Sequence, residues 1–135
     1  MASQKLLVVE DDRLMWDLIE DILQSRDVQF EIFPRGSIIN GQLLLSNLKG
    51  ERVSIKAEDY LVALVDGKLS MSELDGTGVT AALSKLGLPV IAVSGADSLN
   101  HEMIKAGAFK AIRKHHLWFG FLHGKAIYDH LMKVA

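Results

Sequence analysis

The stretch Tyr60–Asp66, with the sequence YLVALVD, decides the fold prediction for this chain. It is a continuous apolar run, rich in strand-forming residues, that ends in an aspartate. Runs of this kind are typical of strands that are buried on both faces, as in a parallel sheet covered by helices. Similar apolar runs stand at Lys5–Val9 and at Pro89–Val93. We therefore expect these three segments to form the centre of a parallel sheet.

Segments with helical spacing separate the strands. Asp12 is placed to cap the first helix, whose apolar residues recur at helical spacing: Leu14, Leu18, Ile22 and Leu23. The other predicted elements are strands at Val28–Phe33 and Ala108–Ile112, helices at Ser37–Lys49, Val79–Leu86, Ser98–Ala106 and Leu117–Val134, and an extended loop at Gly50–Asp59. Five strands that alternate with five helices predict an α/β fold. We expect a single doubly wound five-stranded parallel sheet in the flavodoxin-like order 2-1-3-4-5, with helices on both faces.

Length and composition limit the classes of function. The 135 residues are expected to form a single domain, 1–135, with no output domain. With 15 basic and 17 acidic residues the net charge is −2, which does not suit binding to nucleic acid or to a membrane surface. The absence of cysteine excludes disulfides and thiol nucleophiles. No apolar run is long enough for a signal peptide or a membrane span, so we expect a cytoplasmic protein.

Polar side chains follow the strands at the points where they end. Glu10 and Asp11 follow the first strand, Asp66 ends the third, Ser94 ends the fourth and Lys114 follows the fifth. These ends meet at one edge of a doubly wound sheet. Three carboxylates there repel one another, so they either raise their own pKa values or bind a divalent cation, for which Mg²⁺ fits best. The lysine and the serine suit a phosphoryl group, and a central carboxylate can act as its nucleophile.

Four fragments carry a family resemblance: Val8–Asp12, Leu64–Asp66, Val90–Ser94 and Gly107–Lys114. In this order they resemble the receiver domain of bacterial response regulators, the chemotaxis-regulator-like proteins of two-component signalling, over nearly the whole chain. The resemblance implies a phosphoprotein of a phosphorelay. Its Asp66 would accept a phosphoryl group from a sensor histidine kinase or a phosphotransfer protein in a Mg²⁺-dependent reaction. A downstream protein target would receive the signal by direct contact.

The resemblance also implies a role for each site residue. Asp66 would be the acceptor, Ser94 would hydrogen-bond a phosphoryl oxygen, and Lys114 would pair with the phosphoryl group. The implied metal ligands are Glu10, acting mostly through water, Asp11, Asp66 and the backbone carbonyl of Lys68. Such a domain is not an enzyme in the usual sense, because it catalyses at most its own phosphorylation and dephosphorylation.

Two positions depart from the family pattern and leave alternatives open. Ala111 stands where the family usually has an aromatic residue, and His115 stands where it usually has proline. The chain is therefore an atypical member, and the alternative is a pseudo-receiver that acts as a phosphorylation-independent interaction module. A third interpretation is a Mg²⁺-dependent hydrolase of small phosphoesters.

The last predicted helix begins with a cluster of large apolar residues: Trp118, Phe119, Phe121 and Leu122. Four such residues within five positions cannot all point one way on a helix. We hypothesise that part of the cluster is exposed and contacts a partner protein or a second copy of the chain in a homodimer.

Overall fold

The computed structural model describes residues 5–69 and 72–123 of the chain. Eight strands and four helices follow one another along it. In chain order they are β1 (Lys5–Val9), α1 (Arg13–Ser25), β2 (Phe30–Phe33), β3 (Arg35–Ile39), β4 (Gln42–Ser46), β5 (Arg52–Ser54), β6 (Tyr60–Asp66), α2 (Gly76–Lys85), β7 (Val90–Ser94), α3 (Asp97–Ala106), β8 (Lys110–Arg113) and α4 (Lys114–His123). A short 3₁₀ turn, Ala57–Asp59, leads into β6.

Five of the strands form a parallel sheet in the order β2-β1-β6-β7-β8. Each neighbouring pair in this sheet is parallel. Counted within the sheet alone, the order is 2-1-3-4-5, so the predicted flavodoxin-like topology is confirmed. Every residue of β6 is buried, as expected for a central strand with helices on both faces.

Two hydrophobic clusters cover the two faces of this sheet. On one face α1 and α4 pack through residues such as Ile19 and Leu117. On the other, α2 and α3 pack through Leu83 and Met103. The prediction of helices on both faces is therefore confirmed, although the inward stripe of α1 differs from the expected one. Leu14 is 83% exposed, and the buried residues of α1 are Ile19, Ile22 and Leu23.

The predicted helix at Ser37–Lys49 is wrong, and the predicted loop at Gly50–Asp59 is wrong in part. The chain instead forms a second sheet, antiparallel, in the order β3-β4-β5. Asn40 and Gly41 turn the chain between β3 and β4 with φ values of 52° and 77°, which a helix excludes. Burial alternates along β4, where Leu43 and Leu45 face the core of the α2 side. The antiparallel sheet therefore takes the place of one helix.

The helix ends agree more closely with expectation. Asp12 caps α1, since its side chain accepts a hydrogen bond from the Leu14 N–H at 3.0 Å, as predicted. Of the apolar cluster on α4, Trp118 is buried and Phe119 is 58% exposed. The side chains of Phe121 and Leu122, and the rest of the predicted helix to Val134, lie outside the described residues. Among residues 5–69 and 72–123, no helix is both long and apolar enough to cross a membrane.

Candidate functional site

A crevice of about 620 Å³ opens at the carboxyl edge of the parallel sheet. It lies where β1 and β6 end side by side while their chain connections diverge, which is where doubly wound sheets place their ligands. All six residues that the sequence singled out line it: Glu10, Asp11, Asp66, Lys68, Ser94 and Lys114. The structure therefore brings together residues that are separated by up to about a hundred positions in the chain.

Lys114 contacts two carboxylates of this crevice. Its Nζ lies 2.7 Å from Glu10 Oε1 and 3.1 Å from Asp66 Oδ2. The lysine is the first residue of α4, directly after β8, so the fifth strand of the sheet delivers it to the site. It reaches Asp66 although it is followed by His115 and not by the proline that is usual in the family that the sequence resembles.

Three carboxylates lie close together in the crevice. Glu10, Asp11 and Asp66 each offer an oxygen within 4.8 Å of the others. Such a group of hard oxygen ligands fits a divalent cation that keeps several waters, which is the way Mg²⁺ is usually bound. The donor set therefore fits the ion that the sequence predicts.

Burial and charge act together on Glu10, which is 3% exposed. The pKa of Glu10 is raised from 4.5 to about 7, chiefly by burial and further by the neighbouring Asp66 carboxylate, with Lys114 acting in the opposite direction. Burial acts to lower the pKa of Lys114, but the hydrogen bond to Glu10 and the charges of Glu10 and Asp66 outweigh it and raise that pKa. A divalent cation bound at these carboxylates would compete with the Lys114 charge and would favour the ionised form of Glu10.

Close backbone packing joins the start of α2 to Asp66 and Gly67. The Gly76 N–H donates to the Gly67 carbonyl at 3.2 Å. A Cβ on Gly76 would lie 2.2 Å from the Asp66 carbonyl oxygen and 2.6 Å from Gly67 Cα. The start of α2 is therefore pressed against the backbone of the aspartate, and only glycine fits there. The Lys68 N–H points to Asp66 Oδ1 at 3.4 Å.

Ser94 ends β7 at the rim of the crevice and is 3% exposed. Its Oγ accepts a hydrogen bond from the Ala96 N–H at 3.1 Å, and its carbonyl accepts one from Asn100 Nδ2 at 3.1 Å. Beyond it, Asp97 forms a double hydrogen bond with the Arg113 guanidinium at 3.0 and 2.6 Å. The loop after β7 is thus held to both α3 and β8.

The sequence did not indicate several residues that shape the site. The Trp16 indole N–H donates to the Glu10 carbonyl at 2.7 Å, and Arg13 lines the crevice from the start of α1. A tryptophan needs a partner for its N–H when it is partly buried, so Trp16 near a strand end was a usable signal. The close approach of Gly76 and the contact from Asn100 depend on tertiary packing and leave no such signal.

No protein-family model and no curated protein sequence matches this chain. Several solved structures do match it in three dimensions. The receiver domain of NtrX from Brucella abortus superposes with a TM-score of 0.67 at 18% identity, covering 97% of this chain and 100% of that one. A longer NtrX chain from the same organism matches over 27% of its length.

Two further structures give the same result. The CheY-like response regulator receiver domain protein from Methanospirillum hungatei JF-1 has a TM-score of 0.62 at 23% identity, over 97% of this chain and 96% of that one. The signal receiver domain of a modulated diguanylate cyclase from Desulfovibrio desulfuricans G20 has a TM-score of 0.60 at 19% identity, over 96% and 93%. At these identities the likeness is one of fold. The chain therefore has the fold of the response regulator receiver domains, with a three-stranded antiparallel sheet between its second and third parallel strands.

Proposed function

We propose that this chain is a phospho-accepting receiver that takes a phosphoryl group on Asp66 from a sensor histidine kinase or a phosphotransfer protein. One observation carries the proposal: the Lys114 ammonium lies between Glu10 and Asp66, 2.7 and 3.1 Å away. A nucleophilic carboxylate beside a fixed cation, in a crevice that also offers further carboxylates, is what phosphoryl transfer to aspartate requires.

The other residues have supporting roles in this proposal. Glu10, Asp11 and Asp66 would hold Mg²⁺, together with the backbone carbonyl of Lys68, and the ion when bound supplies positive charge against the phosphoryl oxygens. Ser94 would donate its hydroxyl hydrogen to a phosphoryl oxygen, and Lys114 would pair with another. The burial of Asp66, which is 7% exposed, keeps the acceptor away from bulk water.

The transfer step is an in-line displacement at phosphorus. An oxygen of the Asp66 carboxylate forms a bond to phosphorus while the bond from phosphorus to the donor's imidazole nitrogen breaks. The electron pair of that bond stays on the nitrogen, and the imidazole takes up a proton and leaves. The product is an acyl phosphate on Asp66, and Lys114 balances the charge that gathers on the phosphoryl oxygens during the step.

We infer that the signal leaves by contact with a downstream protein in the cytoplasm and that the chain turns over no separate substrate. Ala111 on β8 is exposed and carries no aromatic ring that could move between two positions. The output of this receiver would therefore differ from the aromatic switch that is usual in the family.

The test is phosphorylation by a small donor. The chain is incubated with acetyl phosphate and Mg²⁺, and its intact mass is measured. We expect the mass to increase by one phosphoryl group, and we expect the Asp66→Asn variant to stay unmodified. Adding a chelator should prevent the reaction in the natural chain, because the charge on the phosphoryl oxygens would lack its counter-ion.

Asp75→Asn is the matched control. Asp75 is an exposed aspartate that precedes α2, and its carboxylate accepts a hydrogen bond from the Gly78 N–H at 2.9 Å. Asparagine caps a helix as well as aspartate does, so this variant should be phosphorylated like the natural chain. An unmodified natural chain, or equal modification of the Asp66→Asn variant, would contradict the proposal.

A further inference from the structure

The antiparallel sheet and its turns differ in charge from the rest of the chain. We call the segment Arg35–Lys56 the basic sheet. It has one acidic residue, Glu51, in a chain whose net charge is −2. The carboxylate of that residue accepts a hydrogen bond from Asn47 Nδ2 at 3.1 Å. The segment has four basic residues: Arg35, Lys49, Arg52 and Lys56.

The strand register places two of these cations in one row on the outer face. Arg35 pairs with Ser46 across β3 and β4, and Ser46 pairs with Arg52 across β4 and β5. Paired residues of neighbouring strands point to the same side of a sheet, so both arginines stand on the face opposite Leu43 and Leu45. Two strand spacings separate them by about 10 Å.

Both arginines are available to a partner. They are exposed, and neither forms an ion pair with another residue in the described part of the chain. A third guanidinium stands nearby, because Arg13 and Arg35 line one cavity of about 340 Å³ beside the crevice. An exposed row of unpaired arginines suits carboxylates, which the guanidinium binds through two parallel hydrogen bonds.

Hydrogen bonds connect this sheet to the loop that follows Asp66. Ser72 Oγ donates to the Gly36 carbonyl at 3.0 Å and accepts from the Gly36 N–H at 2.8 Å. The Leu74 N–H donates to the same carbonyl at 3.1 Å. The outer edge of β3 is therefore attached to the segment between Asp66 and α2. A displacement of Ser72 and Leu74 would move the strand that carries Arg35.

We propose that the outer face of the basic sheet docks an acidic segment of a partner protein, with Arg35 and Arg52 as its anchors. Through Ser72 and Gly36, docking responds to the state of Asp66; this second part rests on the proposed function. A short acidic segment of a protein suits the face better than a nucleic acid does, because the basic row is only about 10 Å wide and the chain has a net charge of −2, whereas nucleic-acid binding calls for an extended basic surface.

The docking experiment uses the whole chain and a labelled hexaglutamate peptide as the probe. Binding is measured by fluorescence anisotropy, and its position by amide chemical shifts in a ¹⁵N-labelled chain. We expect shifts concentrated in residues 35–54 and about a tenfold loss of affinity in the double variant Arg35→Glu with Arg52→Glu, since two charge pairs become repulsions.

The matched control reverses two lysines outside the basic sheet, Lys105→Glu on α3 with Lys110→Glu on β8, and so makes the same change in net charge. Its affinity should stay close to that of the natural chain. Equal losses in the two double variants, or shifts centred outside residues 35–54, would overturn the docking site. Tighter binding of a single-stranded oligonucleotide at the same arginines would overturn the choice of an acidic protein segment.

The response to Asp66 is measured separately, after the intact mass has established phosphorylation by acetyl phosphate and Mg²⁺. We expect hexaglutamate affinity to change on phosphorylation in the natural chain and to change less in Ser72→Ala, which lacks the hydroxyl that holds Gly36. An unchanged affinity in a phosphorylated natural chain would overturn the coupling. An unmodified mass would instead count against the proposed function, and the docking site would still be judged by the arginine variants.

Discussion

The parallel strand β6 and the antiparallel strand β4 are both apolar, yet they are built on different rules. All seven residues of β6 are buried, and strands β1 and β7 flank it on both sides. Along β4, buried leucines alternate with half-buried and exposed residues. A strand buried on both faces needs an unbroken apolar run, whereas a half-buried strand needs only every second residue to be apolar. Leu44 is apolar although it lies on the outer face of β4, so the alternation of apolar and polar residues is not visible in the sequence of this strand.

The largest effect is expected for Gly76→Ala, which tests how tightly the start of α2 packs against the end of β6. Gly76→Ala would place a methyl group 2.2 Å from the Asp66 carbonyl oxygen and 2.6 Å from Gly67 Cα. These are backbone atoms and cannot rotate away, so strand and helix must separate. We expect a loss of about 3 kcal/mol in the free energy of unfolding, measured by urea denaturation.

Gly95→Ala is the control for this variant, because Gly95 lines the same crevice and a Cβ there meets no described atom within 4 Å. Its stability should stay within about 0.5 kcal/mol of the natural chain. If Gly76→Ala lowered the free energy of unfolding no more than the control does, α2 would pack less closely against β6 than the structure shows.

The fold and the crevice were predictable from sequence because they rest on local patterns. Buried strands such as Tyr60–Asp66 are unbroken apolar runs, and the topology rule then brings their carboxyl ends to one edge. The polar residue that follows each run consequently falls in the crevice. The roles of these residues came from the family resemblance, and they remain predictions.

The antiparallel sheet was mispredicted for a reason that the sequence contains. The run Leu43–Leu45 fits either a helix or a strand, since a short apolar run has no clear period. The deciding signal was the pair Asn40 and Gly41, which both have positive φ. An Asn-Gly pair between apolar segments is a strong hairpin signal. The expectation that a helix follows each parallel strand leads instead to the helix predicted at Ser37–Lys49.

Contacts between distant segments could not have been predicted from these patterns. Ser72 bonds Gly36 across 36 positions, and the Tyr60 hydroxyl donates to the Glu31 carboxylate across 29 positions. Neither residue type has a preferred partner, so only the assembled packing decides which group it meets. For the same reason the attachment of the basic sheet to the loop after Asp66 is a finding of the structure.

A smaller effect, which is specific to the crevice, concerns pH. The pKa of Glu10 is raised from 4.5 to about 7 in the fold, so the folded chain binds a proton more tightly than the unfolded one. The stability that this proton contributes is fully present below pH 4.5 and is lost as the pH rises through 7. The shift corresponds to at most about 3 kcal/mol, and relaxation of the site reduces it.

Glu10→Gln isolates this contribution, because glutamine does not titrate. We expect the stability of the natural chain relative to the variant to fall between pH 4.5 and 8 when both are unfolded by urea in the presence of a chelator. Lys114 does not disturb this window: its pKa is raised, so the stability that it contributes is lost only in strongly alkaline solution. Parallel curves for the two chains would mean that Glu10 is ionised throughout and is less buried than described.

The smallest expected effect, that of Gly41→Ala, distinguishes the predicted helix from the observed hairpin of β3 and β4. In a helix, replacing Gly41 by alanine would stabilise the chain by about 1 kcal/mol, because alanine is the better helix former. In the hairpin Gly41 has a φ of 77°, which costs alanine about 1 kcal/mol. The two structures therefore predict opposite signs for Gly41→Ala in urea denaturation. We expect Gly41→Ala to lower the stability of the chain. Gly41→Asn should lower it less, because asparagine tolerates positive φ. If alanine raised the stability instead, the result would favour the helix over the hairpin.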